Sequence, residues 1–547
     1  MKNKKGFTLV EMLVVLSVLT IIFLIVFPEI TNVYKKAREN EYERFLSDIF
    51  LSTEAYVQKN INKYPALNYN SSKVYVYFSE LLESGYLKAT ITDPKNKKNV
   101  KEEDYTVELF MNDDNEYKYK LLEKHFEPFY INKVTQELLD NNSYGNYNYM
   151  NGTYLKGIQT NNYVWYNGFL WRIMGLNEDG TIRLITQESV GTVAWAKESA
   201  TLNYDSEGYL KDWLNDYFLG NLSSEKNAII QDSNWCINQS VGPYNRTDCT
   251  GGKLITAKVG LISADEFTLS ETITNSTYYL GTNDHFWTLT PYNATIPNSI
   301  LQNKYNHMGA NTYAGVRPVI NISPYVVINS GDGSIANPYI LNQDINDQTG
   351  KLNKIATSGE YVTLNDKIYR VVSKNSTGTK LIYDGYYDSS TMYGTSTGFD
   401  VSSGIGKFLN NEVLDWLSNS KKIVNSDWYQ GTGFIGGEKY IDILNNRDGQ
   451  IKAKVGLIRI GEMLSSQSAS ISETKDYWVL NKTTNETNTY YITGYNTTIL
   501  SDNLKASGYV SDNNISDELA IRPVIVVNIA TTVTSGNGTL QNPYVID

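Results

Sequence analysis

Histidine and cysteine are scarce in this chain of 547 residues, which has three of the first and two of the second. So few of these side chains leave little material for a zinc site or an iron–sulfur cluster. Basic residues are also in the minority, 48 against 59 acidic ones, so the formal net charge is -11. Because phosphate binding needs a basic surface, the acidic balance disfavours general electrostatic binding to DNA or RNA. We therefore predict no metal, no cofactor and no nucleic-acid partner.

Enzyme signatures are missing as well. The sequence has no Gly-x-Ser-x-Gly, no His-Glu-x-x-His and no phosphate-binding loop. The histidines His125, His285 and His307 stand near no nucleophile motif. We predict that the protein is not an enzyme.

The composition nevertheless supports folded domains. Hydrophobic residues make up 41% of the chain and aromatic residues 12%, with 43 tyrosines. This is enough apolar material for buried cores, and it argues against a disordered or collagen-like chain. The length is several times that of an ordinary domain, so we expect several domains.

A long apolar run occupies residues 7–27 and contains a single charge, at Glu11. About 20 apolar helical residues cross the hydrocarbon layer of a bilayer. Three lysines precede the run and favour a cytoplasmic amino terminus. Helical spacing of apolar residues then continues to about residue 60. These features predict one transmembrane and filament-core helix over residues 7–60.

The segment from Gly6 to Glu11, Gly-Phe-Thr-Leu-Val-Glu, and Pro28 at the end of the run resemble the prepilin-type cleavage and methylation segment of type IV pilins and pseudopilins. The resemblance implies that a prepilin peptidase removes residues 1–6 by cutting between Gly6 and Phe7, and that the new amine of Phe7 is methylated. Glu11 would be costly in lipid, so its expected partner is the Phe7 amine of a neighbouring subunit during assembly. Pro28 should kink or locally unwind the helix. The alternative is a single-pass anchor in which Glu11 and Pro28 are incidental.

Residues 61–142 resemble the small head of a pseudopilin. A short helix is expected from Phe78 to Leu87, because Gly85 closes its apolar pattern. Two alternating runs, residues 104–110 and 117–122, flank Asn and Asp residues and predict a β-hairpin.

Two copies of one unit of about 190 residues follow a polar linker at residues 141–152. The segment Ala-Lys-Val-Gly-Leu-Ile at 257–262 recurs unchanged at 453–458. Other matched anchors are Trp213 and Trp416, Trp235 and Trp428, Glu266 and Glu462, and Arg317 and Arg522. We place the copies at residues 154–342 and 355–547. Short strands, few helices and long loops favour an α+β fold over a doubly wound sheet.

The repeated anchors resemble a domain of unassigned function that recurs on surface proteins of low-GC Gram-positive bacteria. That family is distantly similar to C-type-lectin-like and sulfatase-modifying-factor folds. The expected fold class is therefore α+β: a long amino-terminal pilin helix with a small pilin-like head, followed by two homologous α+β domains.

Two sets of anchors have a functional and a structural interpretation. Arg317 and Arg522 could form the floor of a ligand pocket, but we favour structural ions paired with carboxylates such as Glu266 and Glu462, because an unpaired buried guanidinium is costly. Trp213 and Trp416 could be sugar platforms. Their place in apolar patterns favours the domain cores instead.

The two cysteines, Cys236 and Cys249, lie in one loop, and outside the membrane they are expected to form a disulfide. The alternative is a reactive or copper-binding pair, as in the formylglycine-generating relatives of the fold. We disfavour it because the second copy has neither cysteine.

Together these patterns predict a minor or tip subunit of a type IV pilus-like filament that displays two recognition or adhesion domains. The implied partners are a prepilin peptidase and methylase, other pilin subunits, the membrane, and a glycan or protein on another surface. The protein would reside in the cell membrane first and at the cell surface, in a filament, later. The alternative is a membrane-tethered sensor or enzyme that never polymerises.

Overall fold

The structure of the protein is a computed structural model. It describes residues 9–69, 72–88, 90–111, 116–196, 209–224, 226–238, 242–271, 279–281, 285–293, 296–301, 304–311, 313–341, 349–418, 421–431, 434–436, 439–441, 447–465, 475–482, 487–492 and 510–546. The chain divides into two compact units, Met1–Pro128 and Phe129–Asp547. Below, residues 129–341 are called the first half of the second unit, and residues 349–546 its second half.

The first unit consists of a long helix and a small three-stranded sheet. Its elements are α1 (Leu9–Lys59), β1 (Lys73–Tyr77), α2 (Phe78–Glu83), β2 (Thr106–Met111) and β3 (Tyr117–Leu122), with 3-10 turns at Ile61–Lys63 and Pro65–Asn68. The strands pair antiparallel in the order β1-β2-β3. The structure therefore contains the expected hairpin and the expected short helix.

Helix α1 is uninterrupted for 51 residues. It runs as regular α-helix through Pro28, so the local unwinding expected there is not found. Gly6 and Phe7 lie outside the described residues, as do the side chains of Glu11 and Pro28. In the part of the chain whose placement is described, no helix has both the length and the apolar character needed to cross a membrane.

The carboxyl-terminal part of α1 packs in the core of the first unit. Phe45 and Ile49 are buried, because apolar residues three to four positions apart lie on one face of a helix. The ring of Phe50 stacks on Tyr119 with 5.1 Å between centroids, and the Tyr119 hydroxyl donates to Glu54 at 2.9 Å. The helix and the sheet thus form one folded body, as in the pilin-like head that the sequence predicts.

The first half of the second unit is rich in short strands. Its helices are α3 (Ile131–Asp140), α4 (Tyr209–Asp212), a π-helical turn (Trp213–Phe218), α5 (Leu219–Asn221), a 3-10 turn (Asn227–Ile229) and α6 (Ala264–Leu269). Its strands are β4 (Asn146–Tyr149), β5 (Gly152–Leu155), β6 (Tyr163–Tyr166), β7 (Phe169–Leu176), β8 (Ile182–Thr186), β9 (Gly191–Ala194), β10 (Ser233–Ile237), β11 (Lys253–Ala257), β12 (Val259–Gly260), β13 (Phe286–Pro291), β14 (Pro297–Leu301), β15 (Lys304–His307), β16 (Tyr313–Val316), β17 (Val319–Ile322), β18 (Ile328–Ser330) and β19 (Tyr339–Leu341).

The second half has a similar succession. Its helices are α7 (Leu352–Ile355), α8 (Gly404–Phe408), a π-helical turn (Leu409–Val413), α9 (Leu414–Trp416) and α10 (Ile460–Ser465). Its strands are β20 (Gly350–Lys351), β21 (Tyr361–Leu364), β22 (Lys367–Lys374), β23 (Gly378–Tyr383), β24 (Thr391–Met392), β25 (Ser426–Tyr429), β26 (Phe434–Gly436), β27 (Lys439–Ile441), β28 (Gln450–Ala453), β29 (Val455–Gly456), β30 (Tyr477–Trp478), β31 (Asn488–Ile492), β32 (Val510–Asn514), β33 (Glu518–Leu519), β34 (Val524–Asn528), β35 (Thr532–Val533) and β36 (Tyr544–Val545). This mixture of helices and short strands agrees with the predicted α+β class.

Each half is built on a sheet with the same strand path. The first half has β12-β17-β8-β7-β6-β19, and the second has β29-β34-β23-β22-β21-β36. In both paths the last pair is parallel and the others are antiparallel. The sheet of the first half is larger, because β4, β5 and β18 join it.

The boundary between head and second unit differs from the expected one. The head was expected to reach residue 142, but the first compact unit ends at Pro128. Helix α3 buries Ile131, Val134 and Leu139 in the core of the first half. The expected linker at residues 141–152 instead contributes β4 and the start of β5, which form an antiparallel hairpin. Its alternating tyrosines supply the apolar face that a linker would lack.

The two helix tryptophans differ in burial. Trp213 is only 2% exposed and belongs to the core of the first half. Trp416 is partly buried at the edge of the second core, against Tyr383 and Tyr387. The amine of Lys367 lies 4.5 Å from its ring centroid. The core interpretation therefore fits Trp213 fully and Trp416 only in part.

A buried polar junction joins the two halves. The Thr357 hydroxyl donates to Asn167 Oδ1 at 2.5 Å. The backbone amide of Lys374 donates to Asn221 Oδ1 at 2.7 Å, and its side-chain amine donates to the Leu222 carbonyl at 2.5 Å. Burial lowers the pKa of Lys374 to about 8. Buried hydrogen-bonding groups of residues far apart in sequence are thus paired with one another at this junction.

Candidate functional site

An ion pair lies beneath a tryptophan in the first half. The guanidinium of Arg183, on β8, lies 2.9 Å from the carboxylate of Glu266 and 4.7 Å from the ring centroid of Trp235. Glu266 is held in place at the start of α6 by a capping box, in which Ser263 Oγ accepts the Glu266 amide and the Glu266 carboxylate accepts the Ser263 amide. Its orientation is therefore fixed by the local fold of the helix terminus.

Both charges of this pair are removed from water, with side-chain exposures of 6% for Arg183 and 1% for Glu266. Burial is the largest single effect and favours the neutral form of Arg183, but Glu266 and the nearby Tyr154, Tyr149 and Tyr147 together act in the opposite direction, so the pKa of Arg183 is raised. Burial raises the pKa of Glu266, and Arg183 opposes that rise. Each side chain can therefore stay charged in this buried position only because its partner carries the opposite charge.

The second half repeats the arrangement with a lysine. Lys380, on β23, pairs with Glu462 at the start of α10, and its amine lies 4.9 Å from the ring centroid of Trp428. The sequence correctly singled out both glutamates and both tryptophans of these clusters. It did not single out the cations.

The expected partners of Glu266 and Glu462 were Arg317 and Arg522, and this pairing is wrong. Arg317 donates to the carbonyls of Thr186 and Leu280. Arg522 donates to the carbonyl of Tyr383 at 3.2 Å. The carboxylate that interacts electrostatically with Arg522 is that of Asp384.

A cavity of about 450 Å³ opens beside Arg183 in the first half. The hairpin β4–β5 contributes Tyr149 and Tyr154, and β17 contributes Asn321. Its volume lies in the ordinary range for small-molecule sites. Three exposed carboxylates, those of Glu178, Asp179 and Asp232, also line it.

Two residues that line this cavity each have a buried side-chain atom without a hydrogen-bond partner, Arg183 Nε and Asn321 Oδ1, and neither atom is accessible to solvent. The residues are 5% and 2% exposed. Each such atom costs roughly 1–3 kcal/mol when it is left unsatisfied. The two residues are direct partners across β8 and β17, so their side chains lie side by side on one face of the sheet. One is a hydrogen-bond donor and the other an acceptor.

The same register in the second half holds different residues. There Lys380 is the cross-strand partner of Val526. A lysine amine has no counterpart of the arginine Nε, and valine has no polar atom. The paired donor and acceptor are therefore particular to the first half.

The disulfide joins Cys236 and Cys249, as predicted, with 5.6 Å between their Cα atoms. Cys236 follows Trp235 on β10, and the loop that the disulfide closes returns to the cavity. The Thr247 carbonyl accepts the amide of Met150 at 2.7 Å, and Met150 lines the cavity. The bridge thus ties the loop to the β4–β5 turn.

Metal ligands are not clustered in the part of the chain that the structure describes, where no three His, Cys, Asp or Glu side chains could hold an ion. The cavity is lined instead by hydroxyl, amide and carboxylate groups together with a similar share of apolar surface. It is suited to hydrogen bonding with a small polar molecule.

Of the residues that line the cavity, sequence reasoning singled out none. Arg183 and Asn321 come together only through the register of β8 and β17. Tyr149 lies within the expected linker, and Tyr154 lies just beyond its end. The alternation Asn-Tyr-Asn-Tyr at residues 146–149, with both tyrosines buried, is the signal that indicates a strand there.

Comparison with known proteins finds relatives of the amino-terminal region. Residues 1–27 match the family described as the prokaryotic N-terminal methylation motif, which includes Gly6, Phe7 and Glu11. No solved structure matches the chain. Over 95 residues the chain is 30% identical to the ComG operon protein 3 homolog of Bacillus licheniformis, a match that covers 17% of this chain and 87% of that protein. The chain therefore belongs to the family of ComG operon protein 3 and is a type IV pilin-like protein.

Proposed function

We propose that this protein is a low-copy or tip subunit of a type IV pilus-like filament, in which the unit of residues 129–547 acts as a recognition module. The observation that carries the proposal is the methylation motif at residues 1–27, on a chain that covers most of a ComG operon protein 3 homolog and has about 450 residues outside that match. A unit of this size on every subunit would crowd a tightly wound filament, which favours a low copy number.

The same motif indicates how the amino terminus would be cleaved and methylated. A prepilin peptidase would cut between Gly6 and Phe7, and the freed amine would be methylated. Glu11 would then pair with the Phe7 amine of a neighbouring subunit, because a carboxylate in lipid is stabilised by a positive partner. The protein would pass from the membrane to the cell surface on assembly.

We infer that the two halves of the second unit are copies of one domain. The shared strand path and the cation–glutamate–tryptophan clusters at matching positions support this.

The change Glu11→Ala in the native host tests the filament role. We expect cleavage after Gly6 to continue, measured by mass spectrometry, while the protein disappears from sheared filaments. The matched control is Glu39→Ala, which removes an exposed carboxylate from the same helix. If the protein is a membrane tether that never polymerises, neither change should alter its cleavage or its distribution between membrane and sheared filaments. Recovery of the protein as the most abundant filament subunit would contradict the low-copy assignment.

A further inference from the structure

Residues 93–99 of the first unit form a loop, the basic loop, that is organised around a buried carboxylate. Asp93 is only 3% exposed. Its Oδ1 accepts the amide of Lys95 at 2.8 Å, and its Oδ2 accepts the Tyr105 hydroxyl at 2.9 Å. The Asp93 carbonyl accepts the amide of Lys97 at 2.7 Å. These hydrogen bonds fix the shape of the loop.

The basic loop packs against α1 on the side of the apolar run. Arg38 Nη2 donates to the Lys95 carbonyl at 3.4 Å, and the Lys95 amine lies 4.5 Å from the ring centroid of Tyr42. Phe45 and Ile49, which the rest of the head buries, come later in the helix. The basic loop therefore lies on the side of the head that faces the amino-terminal part of α1.

Four cations at this contact are exposed and have no carboxylate partner. Lys35 and Arg38 are three residues apart on α1, so they lie on one face of the helix. Lys97 and Lys98 form the tip of the basic loop, and all four side chains are exposed. Among the described residues none of the four forms an ion pair, whereas Lys95 is paired with a glutamate. Their charge is therefore available to a partner outside the chain.

The balance of charge beside the apolar run is positive. Residues 28–38 contain three cations and one acidic residue, and residues 94–98 contain three lysines and no acidic residue. The acidic residues Glu39, Glu41 and Glu43 follow Arg38 and are farther from the run along α1. This positive layer contrasts with the net charge of -11 of the whole chain.

The distance from the apolar run matches the depth of a lipid headgroup layer. The run ends at residue 27. At the rise of an α-helix, Lys35 and Arg38 lie about 12 and 17 Å beyond it. The headgroups reach about 5–8 Å beyond the hydrocarbon, and a charge acts over about 8 Å more at physiological ionic strength. Long side chains that carry their charge at the end add to this reach.

We infer that the basic loop and the adjoining face of α1 bind the phosphate-bearing headgroups of anionic phospholipids at the outer surface of the membrane. This contact holds the head against the bilayer until the subunit enters a filament. The inference rests on the membrane anchor of the proposed function. The place of the cations, directly beyond the apolar run, favours a lipid over a nucleic acid as the partner.

The test uses the full chain in lipid nanodiscs, whose two faces are both open to solvent. One kind consists of phosphatidylcholine alone, and the other contains about 30 mol% phosphatidylglycerol, which supplies the negative surface potential. Acetylation of Lys97 and Lys98 by a water-soluble succinimidyl ester is followed by peptide mass spectrometry, with the exposed Lys351 as the reference. We expect both rates to fall about fivefold or more in the anionic nanodiscs. They should recover at about 0.5 M sodium chloride, which screens the charges.

A double variant tests the loop itself. Lys97→Gln with Lys98→Gln removes both charges of the tip, and Lys95 then reports on the contact. In the wild type, acetylation of Lys95 should be slower in anionic than in neutral nanodiscs, and in the double variant this difference should disappear. The matched control is Lys421→Gln with Lys422→Gln, which removes the same charge from an adjacent lysine pair of the second unit. It should leave the slower acetylation of Lys95 unchanged.

Equal acetylation of Lys97 and Lys98 in the two kinds of nanodisc would overturn the inference, as would protection that persists at high salt. Inorganic phosphate or a DNA duplex, added to neutral nanodiscs at the same phosphate concentration, should not protect these lysines. Equal protection by either would assign the cations to a soluble anion and would also overturn the inference. These results leave the filament role intact. A chain that enters neither kind of nanodisc would contradict the membrane anchor on which both proposals rest.

Discussion

Arg183 on β8 is the direct cross-strand partner of Asn321 on β17. In the second half the same pair of positions holds Lys380 and Val526. The clusters of cation, glutamate and tryptophan are otherwise alike, so the difference lies in two side chains rather than in the backbone. The halves therefore allow one to be used as the control for the other.

Glu266→Gln should lower the free energy of unfolding by about 3–5 kcal/mol, because it leaves the Arg183 charge buried without its partner. Glu462→Gln should cost less, since the side chain of Lys380 is 13% exposed against 6% for Arg183. Urea denaturation of both variants measures the difference. Equal losses, or a larger one for Glu462→Gln, would contradict the assignment of Arg183 as the more completely buried cation.

The disulfide is expected to contribute about 3 kcal/mol, because it closes a loop with a sequence separation of 13. The double variant in which Cys236 and Cys249 are changed to serine should have a lower melting temperature than the wild type. A reducing agent should do the same to the wild type and should have no effect on the double variant. A wild type that is insensitive to reduction would show that the bridge adds no stability.

The two helix tryptophans should differ in their contribution to stability. Trp213→Ala should cost roughly 3–5 kcal/mol, as expected for a large side chain in a core. Trp416→Ala should cost about half as much, because its ring is only partly buried. Chemical denaturation of the two variants compares them, and equal losses would contradict the difference in packing.

Lys374 should make stability depend on pH. Burial lowers its pKa to about 8 in the folded protein, against an ordinary value of 10.5, while Glu360 opposes the shift and Lys226 adds to it. Between these two values the unfolded chain binds more protons, so this group makes the free energy of unfolding rise with pH. The slope is at most about 1.4 kcal/mol per pH unit. Below about pH 8 both states are protonated and the slope vanishes.

The measurement compares urea denaturation of the wild type and of Lys374→Met at about pH 7, 9 and 10. The difference in free energy of unfolding between them should move in favour of the wild type as the pH rises through this window. Lys351→Met, which changes an exposed lysine of the same half, is the control. A constant difference between the wild type and Lys374→Met would show that its amine is not desolvated.

The sequence predicted the elements whose signals are local. The apolar period predicted the end of α1 to within one residue, while the predicted start at residue 7 lies outside the described residues. The alternation at residues 104–122 predicted the hairpin of β2 and β3, and the paired cysteines predicted the disulfide. These predictions succeed because the residues involved are neighbours in sequence or are the only ones of their kind.

The cavity could not be predicted in the same way. Arg183 and Asn321 meet through strand register, which sequence spacing does not reveal. Arg317 was expected to hold Glu266, since a buried arginine suggests a carboxylate, but Glu266 pairs with Arg183, and Arg317 donates to the carbonyls of Thr186 and Leu280. Residues 141–152 were interpreted as a linker because Asn and Gly dominate them. Tyr147 and Tyr149 among them are buried and anchor the hairpin in the core.

The junction between the halves should hold the second unit together after a single proteolytic cut. Asn167 and Thr357, which hydrogen-bond there, lie on opposite sides of the stretch from residue 341 to residue 349. The bond from Lys374 to Asn221 spans the same stretch. A protease that cuts the chain once within it therefore severs no bond of the junction. The two fragments should migrate as a single particle until a denaturant is added.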